Sequence, residues 1–253
     1  MRQGFSLVEL SIVLVILGLL TGGILTGQNL IRAAELRSVT TQVTTLQVAY
    51  RIFQDKYFAL PGDMRNATDF WEAAGTCAAP HSDVGTGTQT CNGNGNGKIA
   101  DAPVPANGYE SFRAWQHLAN AGLIEGSYTG VSANAASRDS IAGSNIPATK
   151  ISNGGIFVRD LGVVTSSIQT FDGNYGHTLL VGSDEVASGL PQDPLFTASE
   201  LWGVDKKLDD GLPGLGRVRT YRPANSPDCA VDENDYDLTK TTISCSLMVL
   251  LGL

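Results

Sequence analysis

The sequence predicts an α+β fold, in which a long N-terminal helix packs on an antiparallel β-sheet head. The first observation is an apolar run over residues 5–25, after which apolar residues continue with helical period as far as residue 57. The second is a set of short β-branched and aromatic runs after residue 150, separated by turn residues. The third is composition, because 29 glycines in 253 residues, with many Asn and Thr, indicate a loop-rich head that contains strands.

The apolar run is long enough to cross a membrane. Residues 5–25 would form a helix of roughly 31 Å at about 1.5 Å per residue, and a hydrocarbon core is about 30 Å thick. Arg2 and the initiator amine lie on the short N-terminal side, and Lys/Arg flanks tend to stay cytoplasmic. We therefore expect a single span, with the rest of the chain across the membrane.

Glu9 is the single charged residue inside this run. A carboxylate at the centre of a bilayer costs about 3 kcal/mol, so it calls for a function or a partner. Near a helix N-terminus the obvious partners are the helix dipole and a free amine. A secretory signal peptide and a plain single-span anchor are the alternatives; for the former, the run is long and residues 21–23 are a poor cleavage site.

Gly4, Phe5 and Glu9 stand at a spacing that resembles the N-terminal signal of type IV pilins and type II secretion pseudopilins. The resemblance is specific over residues 4–25 and weak across the head. It implies that a prepilin peptidase cuts between Gly4 and Phe5 and that the new N-terminus is methylated. It also implies that Glu9 guides the subunit into a filament, where the Phe5 amine of a neighbouring subunit would neutralise it.

The resemblance also implies partners and a location. The partners are identical or related pilin subunits, the prepilin peptidase, the inner-membrane assembly platform and inner-membrane lipid. The chain would be a single-pass precursor in the bacterial inner membrane with its pilin-like head in the periplasm. It would then enter a pilus or a periplasmic pseudopilus.

Glycines interrupt the predicted span at four positions: Gly18, Gly22, Gly23 and Gly27. Each costs about 1 kcal/mol relative to alanine inside a helix. One interpretation is close helix–helix approach in lipid, because Gly23 and Gly27 form a small-xxx-small pattern. The other, which the resemblance implies, is local unwinding when the subunit leaves the membrane.

Beyond residue 28 the helix becomes amphipathic. Apolar residues recur at spacings of three and four, the pattern of a helix that buries one narrow face: Leu36, Val39, Val43, Leu46, Tyr50, Phe53 and Tyr57. Packing on the chain's own sheet is favoured over a coiled coil. The predicted organisation is a leader at 1–4, a transmembrane and filament-core helix at 5–28, an amphipathic helix at 29–57 and a globular head at 58–253.

The head should contain further helices and four strands. The helices are a short piece at 66–74, a clear helix at 110–124 that Gly122 is placed to end, and a helix at 199–208. His117 is expected on a polar face or as a cap rather than as a metal ligand. The strands are expected at 155–159, 177–181, 216–221 and 242–251.

The four cysteines fit an oxidising compartment. Three connectivities are open, and the sequence-local pairs Cys77–Cys91 and Cys229–Cys245 are predicted. No C-x-x-C pair is present, so a zinc site is not expected.

Two segments are weak candidates for calcium. Alternating Asn and Gly at 92–97 resembles the first half of a calcium loop, but Pro103 stands where a bidentate Glu would be required. Its candidate ligands are Asn92, Asn94, Asn96 and Asp101. The second, suggested by the calcium site of type II major pseudopilins near their C-terminal loop, is Asp228, Asp232, Asp235 and Asp237. A turn-rich loop and a solvated acidic loop are the default interpretations, and no other cofactor is expected.

The net charge and the sequence motifs argue against two classes of protein. A net charge of −8 argues against a general nucleic-acid binder, and no phosphate-binding or catalytic motif points to an enzyme. Three hypotheses stay open: a structural subunit of a type IV pilus-like filament, a pseudopilin of a type II secretion system, and a membrane-anchored periplasmic binding or enzymatic domain.

Overall fold

A computed structural model describes residues 7–77, 83–100, 110–133, 138–165, 167–184, 189–221 and 227–253. Its first element is a single helix, α1 (Leu7–Tyr57), of 51 residues, which makes it about 77 Å long. The predicted long helix is thus present. Only its second half contacts the head.

The apolar stripe of α1 packs on the chain's own head. Its buried residues are Val39, Val43, Leu46, Ala49, Tyr50 and Phe53, while Leu36 and Tyr57 are partly buried against the same core. The helix ends where Phe58 takes a positive φ of 53°, three residues before Pro61, which disfavours its continuation. The predicted stripe, and its packing on the head, are confirmed.

Two head helices are shorter than the sequence predicts. Helix α2 (Ala67–Phe70) has four residues instead of nine, because the chain becomes extended at Trp71 and pairs with Thr90 through Glu72 and Ala74. Helix α3 (Glu110–Asn120) ends before residue 124. Gly122, at a φ of +69°, closes it in a Schellman motif, in which Leu123 N–H donates to Leu118 O and Gly122 N–H to Ala119 O.

The head contains one antiparallel sheet. Its strands are β1 (Gly154–Val164), β2 (Gly173–Ser183), β3 (Phe196–Thr197), β4 (Val218–Tyr221) and β5 (Ile243–Leu250), and the helix α4 (Ala198–Leu208) directly follows β3. β1 pairs with β2, and β5 pairs with β2, β3 and β4. The α+β layout, a long helix followed by an antiparallel head, fits a pilin.

The predicted strands differ from the observed ones mainly in length. β1 and β2 each have 11 residues instead of five, because a register shift at Gly162, whose φ is +59°, lets the ladder continue past the glycines. β3 was not predicted, since two residues show no alternation. The core lies between the sheet, α3 and the buried face of α1, where Phe112 meets Phe157 and Tyr50 meets Trp115 in edge-on contacts.

Candidate functional site

The first half of α1 is an uncovered apolar helix. Every large apolar side chain from residue 7 to residue 25 is at least half exposed. An 18-residue window of this helix has a mean hydropathy of 2.4, and none of it is buried. Exposing this much apolar surface to water is unfavourable. Among the described residues, this is the one helix long and apolar enough to cross a membrane.

Glu9 lies in the first turn of this helix, on an exposed position between Val8 and Leu10. A carboxylate at a helix N-terminus interacts favourably with the helix dipole. Its neighbours are exposed apolar side chains, so whatever covers them also encloses the Glu9 carboxylate. Gly4 and Phe5 lie outside the described residues.

The comparisons with known proteins address this same segment. Residues 1–25 match the family model of the prokaryotic N-terminal methylation motif. The chain carries the type IV pilin and pseudopilin signal. No curated protein and no solved structure matches the chain.

The signal and the long apolar helix together support a type IV pilin-like or pseudopilin subunit. Such a signal points to a structural subunit and implies processing by a prepilin peptidase followed by assembly. The apolar helix near the N-terminus indicates membrane anchoring. The candidate functional site is therefore the first half of α1.

Two disulfides close loops of the head. The structure contains Cys77–Cys91 and Cys229–Cys245, which are the pairs that the sequence predicts. The first closes the loop that follows α2. The second ties a short 3₁₀ helix (Pro227–Cys229) to β5, and both of its cysteines are fully buried.

The asparagines of the first calcium candidate hold turns. The side-chain oxygen of Asn92 accepts the Thr68 N–H at 2.8 Å. Those of Asn94 and Asn96 accept the N–H groups of Asn96 and Lys98, each at 2.9 Å. Asp101 lies outside the described residues. Each of the three amide oxygens thus accepts a backbone N–H group.

The same loop instead surrounds two carboxylates from other parts of the head. Glu110 accepts the N–H groups of Asn94 and Ala100, and Asp63 accepts those of Asn96 and Gly97, at 2.8–3.0 Å. Burial raises the pKa of Glu110 to about 7; the hydrogen bonds oppose this shift, and the nearby Asp63 adds to it. Backbone N–H groups that converge in this way form an anion-binding nest. We call the loop at residues 94–100 the carboxylate cradle.

The second calcium candidate is dispersed. Asp228 pairs with Lys240 at 3.2 Å, Asp232 accepts the Asn234 N–H, and Asp237 accepts the Thr239 N–H. Asp235 is exposed. Within the described part of the chain, the acidic group that does converge is Asp205, Asp209 and Asp210, whose oxygens lie within 4.8 Å of one another.

Asp205 is the buried member of that group. It accepts the Tyr236 hydroxyl at 2.9 Å and the Gly211 N–H at 3.2 Å. Burial raises its pKa to about 7, with smaller contributions from the charges of Asp210 and Asp209. Asp205 and Asp209 are four residues apart, the spacing of neighbours on one helix face, and this spacing is the signal in the sequence that could have found them.

His117 is a core residue, so its expected place on a polar face was wrong. Its ring is fully buried because α3 packs it against Phe53 and Trp71. Nδ1 accepts the Gly62 N–H at 2.9 Å, which places the proton of the neutral ring on Nε2, 3.2 Å from Cys91 O. Burial, helped by the charge of Arg113, lowers its pKa to about 3. Through these two hydrogen bonds, His117 connects Gly62, in the turn after α1, to Cys91 of the first disulfide.

Proposed function

We propose that the chain is a structural subunit of a type IV pilus-like filament. It is made as a membrane-anchored prepilin, processed by a prepilin peptidase after Gly4, methylated on Phe5 and assembled through its N-terminal helix. One observation carries the proposal: the segment that matches the methylation motif is continuous with the uncovered apolar half of α1. A filament core accounts for both features, because the signal is of the filament-forming type and neighbouring subunits would cover the apolar helix on all sides.

Burial of the apolar half-helix supplies most of the assembly energy. At about 25 cal/mol per Å² of apolar area, covering more than a dozen large apolar side chains outweighs a single exposed ion pair, which is worth about 1 kcal/mol or less. Glu9 adds specificity to this. Paired with the Phe5 amine of the next subunit, it neutralises two charges in an apolar core and fixes the axial register.

The same helix anchors the precursor before assembly. Residues 5–28 would span the inner membrane, residues 29–57 would pack on the head, and residues 58–253 would stand in the periplasm, where disulfides form. The partners are other pilin subunits, the prepilin peptidase and the inner-membrane assembly platform.

A pseudopilin of a type II secretion system is the second candidate, because the signal is common to both classes. The size of the head favours the first proposal, since residues 58–253 are many for a compact major pseudopilin. Filaments that reach the cell surface distinguish a pilus from a periplasmic pseudopilus.

The decisive experiment is mass spectrometry of the protein from its native host. We expect a mature chain that begins at Phe5 and carries one added methyl group. Retention of residues 1–4 in a working protein, or cleavage after the apolar run, would overturn the proposal. A Glu9→Ala variant should remain in the membrane but be lost from filaments, whereas Glu72→Ala, which removes an exposed acid of the head, should assemble normally.

A further inference from the structure

Arg32 forms the first charged contact between α1 and the head. Its guanidinium binds Glu200 in a two-pronged arrangement, with Nε 2.6 Å from Oε1 and Nη2 2.9 Å from Oε2. Nη2 also donates to Leu195 O at 2.9 Å, and Nη1 reaches Glu35 at 3.2 Å. The two partners in the head, Leu195 and Glu200, flank the junction of β3 and α4.

Glu200 has a second structural role at that junction. It forms a capping box with Thr197, in which Glu200 N–H donates to the Thr197 hydroxyl and Thr197 N–H donates to Glu200 Oε2. The same carboxylate therefore caps α4 and holds Arg32. Burial works to raise the pKa of Glu200, but the hydrogen bonds from Arg32 and Thr197 outweigh it and lower the pKa. The carboxylate is thus present as the anion.

The contact lies where the covered and uncovered parts of α1 meet. Arg32 precedes Val39, the first fully buried residue of the helix, by about 10 Å along the axis. All four glycines of α1 come before Arg32, and a Cβ added at any of them would meet nothing within 4 Å. Arg32 therefore lies between the glycine-containing part of the helix and its buried part.

We propose that the Arg32–Glu200 pair is a latch that ends the head-bound segment of α1 and confines changes of helix conformation to the residues before it. Helix formation is cooperative, so unwinding at a glycine tends to spread along the helix until it meets a fixed contact. Without the latch, Val39 would be the first fixed contact, and residues 33–38 would be free to follow. The latch extends the anchored segment back to Arg32, and its action is independent of what covers the apolar half.

Amide hydrogen exchange on the full-length mature chain in detergent micelles tests the latch. Arg32→Ala removes the guanidinium that binds Glu200. Glu200→Gln removes the negative charge of the partner while leaving a residue that still completes a capping box. In both variants we expect the amides of residues 33–38, between Arg32 and Val39, to exchange about tenfold faster, as loss of a charge-assisted contact predicts, while residues 43–53 keep their wild-type rates.

Two controls isolate the pair. Arg37→Ala removes an exposed arginine of the same helix and should leave the exchange of residues 33–38 unchanged. Thr197→Ala breaks the capping box without removing either charge, and should loosen the first turn of α4 only. If Arg32→Ala also speeds exchange at residues 43–53, the substitution has disturbed the head itself. The exchange rates of Glu200→Gln then decide whether the latch exists. Unchanged exchange of residues 33–38 in Glu200→Gln, or an equal effect of Arg37→Ala, would overturn the proposal.

Discussion

The carboxylates of Asp63 and Glu110 are held by one loop, the carboxylate cradle, although they come from the turn after α1 and from the first turn of α3. Four backbone N–H groups between residues 94 and 100 divide between them, two to each acid. The loop therefore offers hydrogen-bond donors where the Asn–Gly repeat indicates oxygen ligands. A calcium loop turns oxygens inward, whereas this loop turns donors inward and uses its asparagine oxygens to form turns.

The stability of the head should fall as the pH rises through 7. Glu110 has a pKa of about 7 in the folded state against an ordinary 4.5, and Asp205 has about 7 against 3.8. The folded state therefore binds more protons than the unfolded state between these values, and that contribution is fully present below about pH 4 and is lost as the pH passes 7. Thermal unfolding between pH 5 and 8 measures it.

A glutamine variant separates Glu110 from the other titrating groups. In Glu110→Gln the decline in melting temperature between pH 5 and 8 should be smaller, because one of the two acids no longer ionises. Glu125→Gln, which changes an exposed residue beyond α3, should keep the wild-type slope. Equal slopes for all three proteins would show that Glu110 does not titrate in this range.

Replacing His117 should destabilise the head, because it leaves a buried N–H group without a hydrogen-bond acceptor. His117→Leu leaves the Gly62 N–H buried without its acceptor, which costs about 1–3 kcal/mol. His117→Asn offers an amide oxygen near the position of Nδ1 and should recover part of this loss. Urea unfolding of the detergent-solubilised protein, followed by circular dichroism, gives the free energies. If Asn proves no better than Leu, the loss of stability comes from packing rather than from the hydrogen bond.

Features that depend on residues close together in the sequence could be predicted, whereas contacts between residues far apart in the sequence could not. The apolar stripe of α1 is readable because its period is a property of consecutive residues, and the disulfide pairs are 14 and 16 residues apart. Arg32 and Glu200 are 168 residues apart, and only the tertiary fold brings them together. The two residues of β3 likewise become a strand only because β5 lies beside them.

The two disulfides should differ in what their removal costs. A loop of about 15 residues predicts roughly 3 kcal/mol for either on entropic grounds. Cys229 and Cys245 are both fully buried and attach a loop to β5, whereas Cys77 is partly exposed. Replacing Cys229 and Cys245 together by Ser should therefore cost more than replacing Cys77 and Cys91, because it also places two hydroxyls in the core. Unfolding free energies of the two double variants give the comparison, and an equal or opposite ranking would contradict it.

Two valines on one helix test whether α1 is packed on its own head. Val43 is fully buried and Val48 is half exposed, so Val→Ala makes the same chemical change at both positions with the same small gain in helix propensity. Val43→Ala should cost about 1–3 kcal/mol, from lost burial and the cavity left behind, and Val48→Ala should change the free energy of unfolding by less than about 0.5 kcal/mol. Urea titrations of both variants in detergent measure the difference. A large loss at Val48 would mean that its face of α1 is covered in solution, and a small loss at Val43 would mean that the helix does not contribute to the core of the head.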